Sequence, residues 1–309
     1  MTHESAPTDL LADYQALADG KGFWQLPDWT SVAIRGSDRT SFLNNFCSND
    51  VSQLTLNETC EAFLTDVKGK VVAQPLIICR PHDLLLITVS HQAEPIIAHL
   101  DRYIIREDVQ LEDTTPQLSL MVATFDPSST DLPQNTLSTK CNWFSSTPTF
   151  LIQMPAKVPS ASLIDQLSRK GRLVQTTAPE AVRIEAGLPR FGIDFDQSNL
   201  PQEIGRDKEA ISFTKGCYLG QETVARIDAM GHVNQQIAGL KFDNNRLPTV
   251  GTLLASTGNT VGKITSVAYS PGLQAPIALG MIRRGHYEVG KQLDSPFGPC
   301  HVVALPMLA

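Results

Sequence analysis

The apolar residues in the first third of the chain fall in short runs separated by turns. Strand-sized runs alternate with helical patterns, and Gly69 lies at the turn of a predicted hairpin. The predicted strands are residues 29–34, 59–65, 70–79, 84–89 and 109–112, and the predicted helices are residues 10–17, 39–46 and 92–100. Ser37 or Asp38 is placed to cap the second helix. This order predicts an α+β fold in which an antiparallel sheet carries helices on one face.

The middle of the chain continues the mixed pattern. Short strands are predicted at residues 118–124 and 149–153, with a Ser/Thr/Pro-rich loop at 126–139 between them. A capped helix is predicted at residues 160–170, and another begins at residues 179–185. Helical spacing returns at residues 223–227.

The pattern changes after Gly231. The remaining apolar runs are short and cut by Pro and Gly, at residues 237–242, 252–255, 262–269, 277–282 and 301–305. This spacing predicts a small β-barrel. We therefore expect two regions, residues 1–235 with two α+β subdomains and residues 236–309 with an all-β barrel. A helix longer than two turns in the second region would contradict this division.

Composition and charge narrow the class of protein. The 309 residues are 42% hydrophobic and 18% charged, and the net charge of −7 argues against binding nucleic acid by bulk charge. The six cysteines show no C-x-x-C pair and no zinc-site spacing, so no metal site is expected. The start of the chain lacks the pattern of a signal peptide. We expect a soluble, cytoplasmic protein with free thiols and no membrane partner.

The most distinctive stretch is Lys215-Gly-Cys-Tyr-Leu-Gly-Gln-Glu222. It predicts a glycine-containing turn that leads into a helix and places Cys217 near the N-terminal end of that helix. Lys215 and the helix dipole would both favour the thiolate of Cys217. The alternative is a buried structural cysteine beside a turn.

Together with Val224-Ala225-Arg226, this stretch resembles the signature of the YgfZ family. That family comprises folate-binding proteins linked to iron–sulfur cluster maintenance and tRNA modification, and it is related to the glycine-cleavage T-protein, an aminomethyltransferase (GcvT). The resemblance extends from about residue 29 to residue 284 and includes segments near residues 36–51, 102–106 and 183–203. It implies a GcvT-like fold with two intertwined α+β subdomains and a C-terminal small β-barrel around a central channel.

The resemblance also implies a site. A pterin ring presents an amino group and a ring N–H side by side, which one carboxylate can accept. Glu203 matches the family's pterin-holding glutamate, and Glu185 is the second candidate. The alternative is that both glutamates only start helices. Cys217 is the implied functional thiol, and the other folate-binding candidates are Arg226, Lys215, Tyr218 and Gln221.

One departure from the relatives bears on activity. Where the aminomethyltransferases carry a pair of aspartates, this chain has Ala73 and Gln74, which cannot ionise and so cannot act as a general acid or base. The expected function is a tetrahydrofolate-binding accessory protein for iron–sulfur enzymes or cluster-assembly proteins, including tRNA-modifying enzymes, with only weak or indirect contact to tRNA. The alternative functions are a folate-dependent aminomethyltransferase or demethylase, and a folate-free scaffold with a blocked channel.

Overall fold

The computed structural model describes residues 8–141, 143, 148–174 and 177–308. Within these residues there is no helix of the length and hydrophobicity needed to cross a membrane. The helices are α1 (Thr8–Ala18), α2 (Arg39–Asn44), α3 (Ala93–Asp101), α4 (Ser160–Ser168), α5 (Thr177–Glu185), α6 (Asp207–Ala210) and α7 (Gln221–Met230). Short 3-10 helices include Pro201–Glu203.

The strands of the first half are β1 (Gly22–Gln25), β2 (Thr30–Arg35), β3 (Thr59–Glu61), β4 (Leu64–Thr65), β5 (Val71–Ala73), β6 (Leu76–Cys79), β7 (Leu84–Thr88), β8 (Gln110–Asp113) and β9 (Leu118–Ala123). The later strands are β10 (Leu137–Cys141), β11 (Thr149–Pro155), β12 (Arg172–Leu173), β13 (Gln235–Phe242), β14 (Leu253–Ser256), β15 (Asn259–Ser270), β16 (Ala275–Arg283), β17 (Gln292–Leu293) and β18 (Cys300–Val303).

Two five-stranded sheets are interleaved in sequence. One has the order β3-β6-β7-β2-β8 and the other β10-β11-β9-β1-β12. Strand β1 pairs antiparallel with β9 and parallel with β12, so the whole β2–β8 unit is inserted between β1 and its partners. This confirms the predicted intertwined α+β subdomains.

The C-terminal strands form a six-stranded barrel with the order β14-β15-β16-β13-β18-β17. Its two edges meet where Ala255 and Asp294 exchange backbone hydrogen bonds of 2.9 and 2.8 Å. From residue 235 to 308 the chain contains strands and no helix, and this confirms the predicted barrel. The division of the chain into independent regions at residue 235 stays a prediction.

The hydrophobic core has a central junction where the three sheets meet. It joins Leu120 of β9, Ile87 of β7, Ala181 of α5 and Ile277 of β16, and each sheet has a further core of its own on its other side. The junction is apolar because each sheet buries one face against the other two. A cavity lined by aromatic side chains opens beside it.

Two local predictions are corrected. The single hairpin predicted for residues 59–65 and 70–79 is split into β3 with β6 and β4 with β5, because Pro75 has no N–H for a ladder bond. The four-residue spacing of Arg102 and Arg106 predicts that both lie on one helical face, but helix α3 ends at Asp101 and they do not share one. The Glu107 carboxylate accepts the backbone N–H groups of residues 105 and 106, which fixes a turn there.

Candidate functional site

A cavity with aromatic walls lies between the two α+β subdomains. Trp24 comes from β1, Trp29 precedes β2, and Trp143 and Phe191 come from irregular segments. Trp29 and Trp143 lie with ring centroids 5.1 Å apart at an interplanar angle of 46°. The cavity encloses about 650 Å³ of space, part of it open to solvent. We call it the tryptophan cavity.

A buried carboxylate forms part of its wall. The two oxygens of Glu61 accept from Arg206, with Nη2 2.7 Å from Oε2 and Nε 3.2 Å from Oε1. The side-chain amide of Gln74 also donates to Oε1, which fixes the orientation of that amide. Burial alone would lower the pKa of Arg206, but the Glu61 charge raises it above its usual value. Gln74 thus lies in the cavity wall at a position where the aminomethyltransferases carry an ionisable aspartate.

Two arginines form another part of the wall. Arg183 is buried and pairs with Asp194 at 2.9 Å and with Glu180 at 2.5 Å. Arg190 also pairs with Glu180, at 2.8 Å, and its side chain is 32% exposed. Burial would raise the pKa of Glu180, but these guanidinium groups hold it below its usual value. The cavity therefore has a buried anionic group at Glu61 and a more exposed cation at Arg190.

The segment that carries the Lys-Gly-Cys-Tyr motif packs beside the turn between β4 and β5. Gly220 precedes α7 in the left-handed conformation with φ of 82°, and a Cβ there would lie 2.5 Å from the carbonyl oxygen of Asp66. Thr65 Oγ1 donates to the carbonyl of Leu219 at 2.5 Å. Position 220 requires glycine because of its positive φ and because there is no room for a Cβ. A Cβ at Gly216 would face open space.

Lys215 is directed away from the exposed face of this segment. Its Nζ donates to the carbonyls of Asn44, Cys47 and Asn49 at 2.7, 2.9 and 2.6 Å and lies 5.3 Å from the ring centre of Tyr218. Burial lowers the pKa of Lys215. These contacts give Lys215 a structural role at the end of α2, and they do not support the expectation that it activates the Cys217 thiol.

Cys217 is the exposed member of the six cysteines, all of which lie in described residues. It sits in irregular backbone four residues before α7 begins, near the helix start as expected. Burial raises the pKa of the Cys47 and Cys141 thiols to about 11 and that of the Cys60 and Cys300 thiols to about 12. Cys217 is not among the residues that line the tryptophan cavity.

Glu203 and Glu185 are both buried, and both carboxylates accept hydrogen bonds from other residues of the chain. Glu203 Oε2 accepts from Asn199 Nδ2 at 2.8 Å and from the Leu200 backbone N–H at 3.1 Å. Glu185 accepts from Tyr14 and Ser270 and has a pKa raised chiefly by burial. Neither lines the tryptophan cavity. Their roles as pterin ligands stay predictions.

The other predicted ligands lie on or before α7. Tyr218 is buried, and burial raises its pKa to about 12. Gln221 begins the helix half-buried, and Arg226 lies exposed on it. The structure brings Tyr218 against Lys215 but does not bring these side chains into the tryptophan cavity.

A short bridge connects the cavity wall with the motif segment. Asn49 Nδ2 donates to the carbonyls of Glu61 and Glu209 at 2.8 and 2.9 Å, and its own carbonyl accepts from Lys215. Ser48 Oγ donates to the carbonyl of Ala210 at 2.5 Å. Residues 47–49 thus join the two sites through backbone carbonyls.

Sequence reasoning singled out Gln74 and the segment that contains Arg183 and Phe191, but it missed the tryptophans and the Glu61–Arg206 pair. Glu61 and Arg206 are 145 positions apart in the chain, and the tryptophans are spread over residues 24–143. The one available signal was the presence of all three tryptophans of the chain in its first half, together with a charged residue, Glu61, inside a strand-sized apolar run.

Comparisons with known proteins agree with this architecture. Residues 235–308 match the glycine cleavage T-protein C-terminal barrel domain. An aminomethyltransferase from Thermoanaerobacter pseudethanolicus is 21% identical over 315 residues, covering 92% of this chain and 84% of the relative. The tRNA-modifying protein YgfZ of Escherichia coli is 26% identical over 239 residues, covering 73% of each chain.

A solved structure gives the fold independently. The glycine cleavage system aminomethyltransferase T from Bartonella henselae superposes with a TM-score of 0.85 at 17% identity, over 98% of this chain and 91% of that one. The resemblance drawn from the Lys215–Glu222 motif is thereby confirmed. The chain is a relative of the aminomethyltransferases and of the tRNA-modifying protein YgfZ, and it has the GcvT-like fold.

Proposed function

We propose that the protein binds tetrahydrofolate or a derivative in the tryptophan cavity and supports iron–sulfur enzymes, among them tRNA-modifying ones, through the Cys217 thiol. The observation that carries the folate proposal is the combination of tryptophan walls with the buried Glu61–Gln74 pair. Aromatic walls suit flat heterocycles because they stack on ring faces. The relation to aminomethyltransferases supports the same ligand class.

The polar groups of the cavity match the polar ends of a folate. Among the described residues Oε2 of Glu61 accepts one hydrogen bond, and the carbonyl of Gln74 is turned away from Glu61, so both offer acceptor capacity. The pterin edge carries the complementary N–H donors. The glutamate end of a folate is anionic, and the partly exposed Arg190 suits it.

The proposed thiol function rests on accessibility. Cys217 is exposed, whereas the other five cysteines are buried or half-buried. Cluster assembly or repair needs a thiol that a second protein can reach, and Cys217 meets that requirement. We place the protein in the cytoplasm, where free thiols persist.

An aminomethyltransferase of the T-protein type is the second candidate, and the match to such an enzyme over 92% of the chain favours it. The presence of Gln74 argues against aminomethyl transfer, because an amide cannot exchange a proton with the migrating group or stabilise a developing cation by charge. Glu61 is ionisable, but Arg206 and Gln74 already occupy most of its acceptor sites.

Tryptophan fluorescence tests folate binding directly. All three tryptophans line the proposed site, so intrinsic emission reports on this cavity alone. Titration with tetrahydrofolate should give a saturable change in emission for the wild type and for Cys217→Ser. Absence of any change would contradict the folate proposal.

The thiol function needs a cellular test. Cells that carry Cys217→Ser in place of the wild type should lose activity of iron–sulfur enzymes, while Cys300→Ser, at a buried thiol in the barrel, should not. Equal activity of wild type and Cys217→Ser would rule out the thiol role. Aminomethyl transfer by the wild type would instead support the second candidate.

A further inference from the structure

A second cavity lies on the other side of the β4–β5 hairpin, against α3. It encloses about 700 Å³ of space, part of it open to solvent, and its polar lining residues are Asp66, Lys70, His99, Arg102 and Gln197. None of the predicted site residues and none of the tryptophan-cavity residues line it. We call it the His99 cavity.

His99 contributes a buried acceptor without a partner. The residue is 6% exposed, and its Nε2 is buried with no hydrogen-bond partner in the part of the chain that the structure describes. The pKa of His99 reflects a hydrogen bond with the backbone of Thr65, and because Nε2 is unpaired we assign that bond and the ring proton to Nδ1. Burial lowers the pKa of His99, and the positive charge of Arg102 lowers it further, so the ring is neutral near pH 7. With the proton on Nδ1, Nε2 presents a lone pair.

The charge around this lone pair is positive. Arg102 is exposed on the rim and makes no recorded ion pair among the described residues, and Lys70 uses one of its donors on the carbonyl of Ser198. Asp66 is the opposing charge, but its Oδ1 is taken by the backbone N–H groups of residues 68 and 70 at 2.8 Å. Two cations beside a neutral imidazole disfavour a metal ion. They favour an anion that also carries a hydrogen-bond donor.

We propose that the His99 cavity binds a hydroxylated phosphate ester of the sugar-phosphate class. Its phosphate would pair with Arg102 and Lys70, and one of its hydroxyl groups would donate to Nε2 of His99. A buried acceptor left unpaired costs stability, and a ligand hydroxyl removes that cost. Arginine suits phosphate because its fork of donors matches the phosphate oxygens.

The cavity adjoins the motif segment. Asp66 lines the cavity and its carbonyl packs on Gly220, and the side chain of the neighbouring Thr65 donates to the carbonyl of Leu219. A bound sugar phosphate would therefore lie one hairpin away from the segment that carries Cys217. This site does not depend on folate binding in the tryptophan cavity, so the two proposals can fail separately.

Calorimetry of the full-length protein with ribose 5-phosphate, inorganic phosphate and ribose tests the proposal. Ribose 5-phosphate should bind most tightly, phosphate more weakly, and ribose not detectably. Arg102→Gln should weaken ribose 5-phosphate by about tenfold or more, the effect of losing a charged hydrogen bond. Arg106→Gln is the matched control, because Arg106 is equally exposed but does not line the cavity, and it should bind as the wild type does.

His99→Phe removes the acceptor and keeps a ring, so its affinity for ribose 5-phosphate should fall to that for phosphate. Should this variant not fold, the ¹⁵N resonance of His99 Nε2 in the wild type provides the readout, and it should shift when ribose 5-phosphate is added. Absence of ribose 5-phosphate binding, an unmoved Nε2 resonance, or equal weakening by Arg102→Gln and Arg106→Gln would each overturn the proposal.

Discussion

The tryptophan cavity and the motif segment are built in opposite ways. In the cavity, strands β1, β3, β6 and β7 supply part of the wall, and each buried charge meets a charge of opposite sign, as Glu61 meets Arg206. In the motif segment the backbone is irregular, Lys215 is held by neutral carbonyls, and Cys217 remains exposed. The first arrangement suits holding a ligand, and the second suits presenting a reactive group. In the proposed function, the motif segment therefore presents the thiol, and the tryptophan cavity binds the ligand.

The largest expected effect is the loss of stability when a substitution breaks the charge pairing of the cavity. Arg206→Met leaves the Glu61 carboxylate buried without its counter-charge and should destabilise the protein by about 3–5 kcal/mol. Urea unfolding measures the loss. Arg226→Met, at an exposed arginine of α7, should change stability little. Equal losses for the two variants would mean that the Glu61–Arg206 pair is not the stabilising contact it is taken to be.

The next largest expected effect is a change in stability caused by the like charges of Asp207, Glu209 and Asp228. Burial, together with the charges of Asp228 of α7 and Glu209, raises the pKa of Asp207 to about 6, and Oδ1 of Asp207 has no hydrogen-bond partner among the described residues. A folded-state pKa above the unfolded value favours folding while Asp207 is protonated. That contribution is complete below pH 3.8, the unfolded value, and is lost as pH rises through about 6.

Asp207→Asn should therefore gain about 1–3 kcal/mol relative to wild type at pH 7.5. The gain should vanish at about pH 3.5, where the wild-type carboxyl is also neutral. Urea unfolding at both pH values measures the difference. A gain of the same size at both would show that the Asp207 charge is not the cause.

The smallest expected change is in the reactivity of Cys217 on ligand binding. Iodoacetamide near neutral pH should label Cys217 first, because burial raises the pKa of four of the other thiols and Cys79 is half-buried. Saturating tetrahydrofolate should leave its rate unchanged, since Cys217 does not line the tryptophan cavity. Mass spectrometry of partially labelled protein measures both. Strong protection by tetrahydrofolate would place the ligand at the motif instead.

The sequence predicted the parts of the fold that local pattern controls. The barrel strands were predictable because Pro and Gly separate short apolar runs, and most helices because their apolar spacing is regular. Strand β1 was not predictable, because its four residues pair with β9, which lies about a hundred positions away in the chain. Two-residue strands such as β12 and β17 carry too little pattern to detect.

The candidate site shows the same limit. The glycine-rich surroundings of Cys217 favour an accessible thiol over the buried alternative, and Cys217 is exposed. The direction of Lys215 was not predictable, because its acceptors at residues 44, 47 and 49 lie more than 160 positions away in the chain. Glu61 and Arg206 were missed for the same reason: their pairing is a property of the tertiary fold.

The measurement that tests the account most directly compares two glutamates by calorimetry with tetrahydrofolate. Glu61→Gln removes an ionised acceptor from the tryptophan cavity and should weaken binding by about 1.5–3 kcal/mol. Glu203→Gln changes a carboxylate that serves Asn199 and Leu200 outside that cavity, so the affinity of the folded variant should stay near that of wild type. Loss of binding in Glu203→Gln with no change in Glu61→Gln would contradict the account and place the pterin at Glu203.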